Sequence, residues 1–438
     1  MPVRKLGTWL ALVACATVLI AAFTASSAIA GQSAGAHHRI VGRGRSHSRR
    51  RARWHAAFYP QQCPDPYPSV RDSANPLMLA TPPGSDPLAG AQFFVDGPRH
   101  GPAAGAIAAM LGFDPRRFPV DYSWASFQAL ISQGAPLARM EADPVLMHKV
   151  LLLEKIASGS EANRISIYSG GGGPGAIFGQ TQKILCHNLT ADPGSIPILS
   201  TYFMHPVVGG CPTPAMMTAM HPAFVRRVDE MAEGIANRPA VVLVENDGIG
   251  SSSCVQRMGS MPQWEADLRF EALTMEALPH TVVYLEGGYS DSNSPRYTAR
   301  VLNAAGVRQI RGFWTNDTHS QWTIHEARWG AKVSRLTGGA HFVINTAGNG
   351  RGPKLNPHPK WQGVEDLCNA PGRGLGPLPT TDPGLPDVDA FLWTGVPGSS
   401  SGHCNGGTDP GHWWMAGALV LAANAQDKLG PGFPNNPY

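Results

Sequence analysis

The stretch HPAFVRRVDEMAEGIANRPAVVLVEND, residues 221–247, decides the fold class because it contains a helical pattern followed at once by a strand. In its first part, apolar residues recur at helical spacing, and we expect Pro222 to open the helix and Pro239 to stop it. The run AVVLVEN (240–246) that follows is apolar, of β type and acidic at its end. A helix that leads directly into such a strand is typical of parallel α/β folds.

Six further apolar runs of the same kind recur along the chain, and stretches with helical spacing lie between them. Seven strands with intervening helices predict a parallel sheet, either closed as a barrel or doubly wound. The six runs are RISIYS (164–169), IPILSTYFM (196–204), TVVYLE (281–286), RQIRGFW (308–314), HFVINT (341–346) and VDAFLW (388–393).

The beginning of the chain has the features of an export signal. Two basic residues precede an apolar stretch, and the AIA at 28–30 resembles a cleavage site. We therefore expect residues 1–30 to be a signal peptide that is cleaved near Ala30, rather than a retained membrane anchor. Residues 31–59 are rich in arginine and poor in large apolar side chains, which predicts a disordered basic tail. Residues 60–438 are long enough for one large domain.

The positive charge of the protein is concentrated in these first residues. The formal net charge is +4, but Arg4, Lys5 and seven arginines of the tail are positive, so the remaining chain has a net charge of about −5. Binding to nucleic acid is disfavoured because no folded face is basic. We expect a monomer whose tail either contacts an anionic cell-wall polymer or acts as a spacer.

The cysteine content fits an exported protein. Six of the seven cysteines lie beyond the signal segment, an even number that permits 15 pairings. Disulfides persist outside the cytoplasm. No two cysteines form a C-x-x-C pair, so we predict no structural zinc site. We also predict no cofactor.

Acidic residues follow two neighbouring strands at the end where parallel α/β folds place their chemistry. The third strand ends in Glu245-Asn246-Asp247, and the fourth ends in Glu286. In an exported protein, two acids in this position suggest acid-assisted cleavage of a glycan.

The segment GSSSG (398–402) offers a competing interpretation, since it matches the G-x-S-x-G nucleophile elbow with Ser400 as the attacking group. An elbow serine lies directly on the turn between strand and helix. Here several residues follow the strand before the serines, and loop sequence comes after them, with Asp409 and His412 as the nearby downstream partners. A serine esterase is therefore the third hypothesis.

Seven segments in the correct order resemble glycoside hydrolase family 6, the inverting cellulases, over about residues 86–427. The resemblance implies a distorted seven-stranded parallel β/α barrel. In one segment, the family's TNVSN stands as TNDTH (315–319). The segments are DPLAGAQFFVDGP (86–98), RPAVVLVENDGI (238–249), YLEGGY (284–289), AAGVRQIRGFWTNDTH (304–319), FVINTAGNG (342–350), LCNAPGRGLGPLPT (367–380) and DAFLWTGVPGSSSGHC (389–404).

The resemblance implies a role for Asp247 as the general acid that protonates the leaving oxygen. The family's last loop carries E-x-D, whose aspartate is the proposed base, but Ser399 and Ser401 stand in those positions here. Serine is a poor proton acceptor without its own base. The base is therefore uncertain, and the candidates for a relocated base are Glu286, Asp291 and Asp317.

Other family positions also differ. Tyr289 replaces a histidine, Gly395 a lysine and Gly210 an aspartate, while two sugar-stacking tryptophans become Ser292 and Leu367. From the segments that remain, we predict catalytic roles for Asp247 and Glu286. The predicted substrate-binding residues are Asn316, Trp314, Trp393 and Tyr289.

The resemblance also implies two disulfides. It pairs Cys211 with Cys254 and Cys368 with Cys404, and it leaves Cys63 and Cys186 as a third pair or as two free thiols.

The leading hypothesis is a secreted β-glycan hydrolase that cleaves O-glycosidic bonds with inversion. The alternative is a glycan-binding pseudoenzyme with the same fold, since the second carboxylate is missing from its expected place.

Overall fold

A computed structural model describes Cys63 and residues 86–204, 211–354 and 368–431. The predicted signal peptide and basic tail lie outside the described residues. Within these ranges, none of the helices combines the length and the apolar content that a membrane span requires.

The seven predicted strands form one parallel sheet in sequential order, which confirms the predicted fold class. The run 281–286 coincides with its strand, and the other runs are one to four residues longer than theirs. The largest shift of a single boundary is at 308–311, where a 3₁₀ turn (Val307–Gln309) precedes the strand. The strands are β1 (Asn163–Ser166), β2 (Ile198–Tyr202), β3 (Ala240–Val244), β4 (Thr281–Glu286), β5 (Gly312–Thr315), β6 (His341–Asn345) and β7 (Val388–Leu392).

The sheet curls into a distorted barrel whose first and last strands approach each other. Just before β1, Glu161 forms an isolated parallel bridge with Trp393, which directly follows β7. The N–H of Ala162 donates to the carbonyl of Trp393 at 2.8 Å. This short contact, rather than a full ladder, connects the two edge strands.

Helices connect successive strands from β1 to β6, and the N-terminal helices form a separate group. The helices are α1 (Pro102–Met110), α2 (Trp124–Ile131), α3 (Gly134–Ala142), α4 (Pro144–Ala157), α5 (Ala176–Ala191), α6 (Pro214–Ile235), α7 (Ser252–Arg257), α8 (Met261–Glu276), α9 (Pro295–Ala304), α10 (Thr323–Thr337) and α11 (Met415–Ala423).

Helix α6 corrects one detail of the sequence interpretation. It begins at Pro214 and not at Pro222, because the side chain of Thr213 accepts a hydrogen bond from the N–H of Met216 and caps the helix there. Pro222 lies inside the helix. The two turns before Pro222 are part of the same helix, although a proline inside a helix removes one backbone donor.

Both faces of the sheet are buried, which explains the continuous apolar strands. In β3, Val241 and Leu243 point into the barrel, while Val242 and Val244 pack against the outer helices. Strands that are covered on both faces lack the alternation of apolar and polar residues seen in half-exposed sheets. The N-terminal helices α1, α2 and α4 share a second core with α11.

A buried ionic cluster fixes the amino-terminal end of the barrel. Asp389 of β7 accepts two hydrogen bonds from Arg311, each 2.7 Å long. His341 at the start of β6 bonds to the same carboxylate at 2.9 Å, and the hydroxyl of Tyr284 in β4 donates to it at 2.7 Å. One carboxylate thus connects three strands and the residue before β5.

A pair of buried acids lies behind the third strand. Glu245, which directly follows β3, accepts hydrogen bonds from the N–H groups of Phe203 and Met204. Burial raises its pKa to about 7. Burial, together with the neighbouring Glu245, raises the pKa of Glu271 in α8 well above its usual value. The folded protein therefore binds protons at this pair more tightly than the unfolded chain does.

We expect Glu271→Gln to stabilise the protein at alkaline pH. A raised pKa contributes stability that is complete below the ordinary value of about 4.5 and is lost as the pH rises toward the folded value. Removing one of the two acids avoids this loss. The free energy of unfolding should increase by about 1–3 kcal/mol at pH 8 and change less at pH 5.

The measurement is urea unfolding at both pH values. Glu141→Gln, at an exposed position of α3, is the matched control. If Glu271→Gln lowered the free energy of unfolding at pH 8, ionisation of the pair would not be what destabilises the folded protein at that pH.

Candidate active site

A cleft of about 420 Å³ opens at the carboxyl-terminal end of the sheet. Its walls come from the loops after β5, β6 and β7 and from one side of α11. This is the end at which parallel α/β folds bind their ligands. The residues that determine its chemistry are Asp317, His319, Asn369, Arg373, Ser399, Ser401 and Trp414.

Asp247 lies in the loop after β3, beside this cleft. The hydroxyl of Tyr289 donates to its Oδ1 at 2.6 Å, and Thr318 lies 3.4 Å from the same oxygen. Burial and the negative charge of Asp247 raise the pKa of Tyr289 well above its usual value, so the phenol keeps its proton and remains a donor. The neighbouring loops thus orient the predicted acid.

The backbone around Asp247 is strained and held from several sides. Asp247 has φ +58°, in the left-handed region that costs a non-glycine residue about 1–3 kcal/mol. Its N–H donates to Oδ2 of Asp317 at 2.7 Å. The indole of Trp264 donates to the carbonyl of Gly248 at 2.9 Å. Such strain persists only where the surroundings fix the conformation.

Glu286 holds the other side of the same loop. Its carboxylate is buried and accepts hydrogen bonds from the N–H groups of Ile249, Gly250 and Gly288. Burial and the nearby Asp317 raise its pKa well above the usual value. Glu286 was predicted to be catalytic; its oxygens bind backbone, and it is not among the residues that line the cleft, so its catalytic role stays a prediction.

Asp317 is the one carboxylate among the described residues that line the cleft. Its Oδ1 accepts a hydrogen bond from the amide of Asn246 at 2.9 Å, and its Oδ2 binds the N–H of Asp247. Burial and the neighbouring Asp247 raise its pKa to about 7. Asp317 is therefore part of the acid's own surroundings.

The four predicted sugar contacts occupy buried positions. Trp314 and Trp393 are both 0 % exposed and donate through their indole nitrogens to backbone carbonyls. Asn316, also buried, exchanges hydrogen bonds with the backbone of Gln321 and Asn345.

The two tryptophans and Asn316 are not among the residues that line the cleft, and their contact with a sugar stays a prediction. Tyr289 is also buried, and it contacts Asp247 rather than the open cleft. Trp414 is the tryptophan that lines the cleft.

The serine loop does not form a nucleophile elbow. The hydroxyl of Ser400 is buried and donates to the carbonyls of Gly402 and Thr408. It also accepts a hydrogen bond from the amide of Asn369 at 3.2 Å. A serine that is engaged within its own loop lacks the exposed oxygen and the adjacent base of an esterase nucleophile. Ser399 and Ser401 line the cleft instead.

Two disulfides form the pairs that the resemblance implied. Cys211 pairs with Cys254, and Cys368 pairs with Cys404. The second bridge lies beside Asn369, whose amide donates to the carbonyl of Gly402 at 2.7 Å. A third disulfide, Cys63–Cys186, settles the alternative that the sequence left open.

A histidine that the sequence analysis did not single out also lines the cleft. Nδ1 of His319 lies 2.8 Å from Oδ1 of Asp291, and the imidazole ring stacks on Tyr289 with centroids 3.8 Å apart and planes 6° apart. Gln321 donates to the other oxygen of Asp291 at 3.0 Å. The available signal was a histidine at the end of TNDTH, where the family pattern has asparagine.

Potential metal ligands do not form a cluster of three in the described part of the chain, and two positions that differ from the family lie outside it. Over residues 86–204, 211–354 and 368–431, no cluster of three His, Cys, Asp or Glu side chains could hold a metal ion. Gly210 and Leu367, where the family has an aspartate and a tryptophan, lie outside the described residues.

Comparisons with known proteins agree with this architecture. The family described as glycosyl hydrolases family 6 matches residues 218–425. Endoglucanase A of Cellulomonas fimi is 32% identical over 203 residues, which are 46% of this chain and 42% of that protein. Endoglucanase 1 of Streptomyces sp. (strain KSM-9) is 29% identical over 277 residues, 61% of this chain and 71% of that protein. The chain thus spans less than half of the first relative's length.

One solved structure matches this chain over nearly the full length of the solved protein. The endoglucanase Cel6 from Mycobacterium tuberculosis, in complex with methyl-cellobiosyl-4-deoxy-4-thio-β-D-cellobioside, superposes with a TM-score of 0.58 at 26% identity. The match covers 78% of this chain and 99% of that one. The chain is therefore similar to glycosyl hydrolases of family 6 both in sequence, over residues 218–425, and in its curled seven-stranded sheet.

Proposed function

We propose that this protein is a secreted hydrolase of cellulose-like β-glycans that cleaves O-glycosidic bonds with inversion. The observation that carries the proposal is the position of Asp247, which a rigid loop holds beside the cleft. The endoglucanase relatives support the substrate class.

In this proposal Asp247 is the general acid. Because Tyr289 donates to Oδ1, we assign Oδ2 as the oxygen that delivers a proton to the leaving glycosidic oxygen. Asp317 holds the backbone of the acid from one side, and Glu286 holds its loop from the other. We assign both residues to positioning. Water attacks the anomeric carbon from the opposite face, as inversion requires.

The remaining sequence predictions fit this function. We propose that residues 1–30 are the signal peptide, that 31–59 form the basic tail, and that 60–438 form the hydrolase domain, which acts as a monomer. The three disulfides are consistent with an extracellular location. The arginines of the tail would bind an anionic cell-wall polymer, and Trp414 would replace the lost tryptophans as a sugar-stacking surface.

One observation favours the alternative of a glycan-binding pseudoenzyme. Ser399 and Ser401 line the cleft where the family's pattern has acids, and Asp317 is the one carboxylate among the described cleft residues. A protein of this kind would bind glycans without turning them over.

The test measures the release of reducing ends from a panel of β-glucans, mannan and arabinan. The wild type is compared with Asp247→Ala and with Asp121→Asn, a control at an exposed position. Turnover by the wild type and the control, but not by Asp247→Ala, supports the hydrolase. Binding without turnover by the wild type supports the pseudoenzyme.

A further inference from the structure

The first strand carries a charged side chain on the inward face of the barrel. Ala162, just before β1, packs inside the barrel, whereas Ile165 packs against the outer helices. Because side chains alternate along a strand, Arg164 is on the inward side with Ala162. Its side chain is nevertheless exposed, which places it where the barrel opens to solvent.

Two distances place the guanidinium of Arg164 at the carboxyl-terminal mouth of the barrel, between β2 and β7. Its Cζ lies 5.8 Å from the centre of the Tyr202 ring, at the end of β2. Its Nη2 lies 3.8 Å from the point that a Cβ on Gly395 would occupy. Gly395 follows β7 and directly precedes Val396 and Pro397, which line the cleft. The guanidinium therefore lies beside a wall of the cleft.

Arg164 is also within electrostatic reach of the acids of the site. Burial and Asp247 raise the pKa of Asp317 to about 7, and the positive charge of Arg164 acts in the opposite direction on the same group. Burial and the negative charge of Asp247 raise the pKa of Tyr202, against which the guanidinium lies. The arginine, the tyrosine and the two acids therefore belong to one site.

The donors of Arg164 are not used by the protein. In the described part of the chain, no carboxylate or carbonyl forms an ion pair or a hydrogen bond with its guanidinium. An arginine has five N–H donors in a planar fork that matches the two oxygens of a carboxylate. The fork of Arg164 is therefore open to an acceptor on a ligand.

The neighbouring loop lacks the acids that would repel an anionic ligand. Ser399 and Ser401 line the cleft where the family's pattern has acids. A serine hydroxyl can donate a hydrogen bond to a carboxylate, whereas an ionised acid in its place would repel it. Gly395 stands where the family has a lysine, so Arg164 supplies a positive charge beside this position.

We propose that Arg164 binds a carboxylate of the glycan, so that the cleft takes an acidic β-glycan with a uronic sugar on the β1 side. The inference rests on the proposed function, because it names the class of glycan on which that function acts. A guanidinium and a carboxylate form two parallel N–H···O bonds, which give both affinity and orientation. A neutral sugar offers only hydroxyls, which are weaker acceptors for a guanidinium.

The competing explanation is that Arg164 only balances the charges of Asp247 and Asp317. A balancing cation would affect neutral and acidic glycans alike, since both meet the same two acids. A cation that binds a carboxylate of the glycan changes the ratio between the two affinities instead. The experiments therefore measure this ratio.

The first test compares cello-oligosaccharides with the same oligosaccharides oxidised to carboxylates at C6. Binding is measured by calorimetry at pH 6 with Asp247→Asn as the parent protein, so that turnover does not interfere. The acidic ligand should bind at least about tenfold more tightly than the neutral one. Adding Arg164→Gln should abolish this preference and change the affinity for the neutral ligand by less than about threefold.

Arg335→Gln is the matched control for this test. Arg335 is exposed in the last turn of α10, which leads to the start of β6 and thus to the end of the sheet opposite the cleft. This variant removes the same charge from the protein and should keep the full preference for the acidic ligand.

The second test reverses the charge at the same position. Arg164→Glu should bind 6-amino-6-deoxy-cello-oligosaccharides more tightly than the carboxylated ones. Arg164→Lys should keep a weaker preference for the carboxylate, because it keeps the charge but not the fork. A misfolded variant would lose affinity for all three ligands, which differs from a change of preference.

The third test is turnover by the protein with Asp247 intact. The kcat/KM for C6-carboxylated oligosaccharides should exceed that for the neutral ones by about tenfold, and Arg164→Gln should remove the excess. Raising NaCl from about 0.05 M to about 0.5 M should reduce the excess in the wild type, since salt screens an exposed ion pair.

The outcomes separate this inference from the proposed function. A preference for the acidic ligand that depends on Arg164, without turnover by the wild type, supports the inference and overturns the hydrolase. Turnover of both glycans with equal kcat/KM, and with a ratio that Arg164→Gln leaves unchanged, supports the hydrolase and overturns the inference. A preference that persists in Arg164→Gln but disappears in Arg373→Gln, at an arginine that lines the cleft, also overturns it. Binding of neither glycan overturns both.

Discussion

Asp247→Asn is expected to lower kcat/KM on cello-oligosaccharides by about 10²–10⁴-fold, the usual contribution of a positioned general acid. The reason is that the asparagine keeps the contacts of the loop but has no proton to give to the leaving oxygen. The backbone N–H to Asp317 is unchanged by this substitution, and the Oδ1 of asparagine can still accept from Tyr289.

The dependence on the leaving group distinguishes an acid from a structural residue. The aryl group of an activated aryl cellobioside leaves without protonation. Asp247→Asn should therefore hydrolyse such a substrate at a rate much closer to that of the wild type. Asp121→Asn, at an exposed position, should resemble the wild type on both substrates. An equal loss on natural and activated substrates would contradict the role of Asp247 as proton donor.

Asp389→Asn is expected to destabilise the fold by about 3–5 kcal/mol at pH 7, the range found when one partner of a buried ion pair is removed. Arg311 would keep its charge but lose a bidentate carboxylate, and His341 and Tyr284 would each lose a strong acceptor. The measurement is urea unfolding, with Asp409→Asn at the exposed His403 pair as the control.

The pH dependence of this effect has a definite sign. Burial alone would raise the pKa of Asp389, but the hydrogen bonds from Arg311 and His341 outweigh it and hold the pKa below its usual value. A depressed pKa contributes stability that is present above the unfolded value near 3.8 and is lost as the pH falls through the folded value. The difference between Asp389→Asn and the wild type should therefore shrink below about pH 4. A difference that grows on acidification would contradict this account.

The fold could be predicted from the sequence because its strands are buried on both faces. The segments 240–244 and 282–285 are apolar without alternation, and each lies within a strand. The end of a helix or strand depends on single contacts instead. The cap at Thr213 added eight residues to the start of α6, which the proline at 222 had concealed.

The site was harder to predict because burial and exposure at the end of a strand depend on the loops that surround it. Glu286 has the residue type and the strand position of a catalytic acid, yet three backbone N–H groups bind it. Trp314 and Trp393 have the residue type of sugar-stacking surfaces but lie fully inside the barrel. Conversely, the orientation of the His319 ring depends on contacts with Asp291 and Tyr289, which come from a different loop.

The most direct test of the central claim is the anomeric configuration of the first product, followed by proton NMR before mutarotation. An inverting hydrolase acting on a β-1,4-glucan through Asp247 should release the new reducing end as the α-anomer, and Asp247→Asn should release almost none. Initial release of the β-anomer, or binding of the oligosaccharide without any new reducing end, would contradict the account.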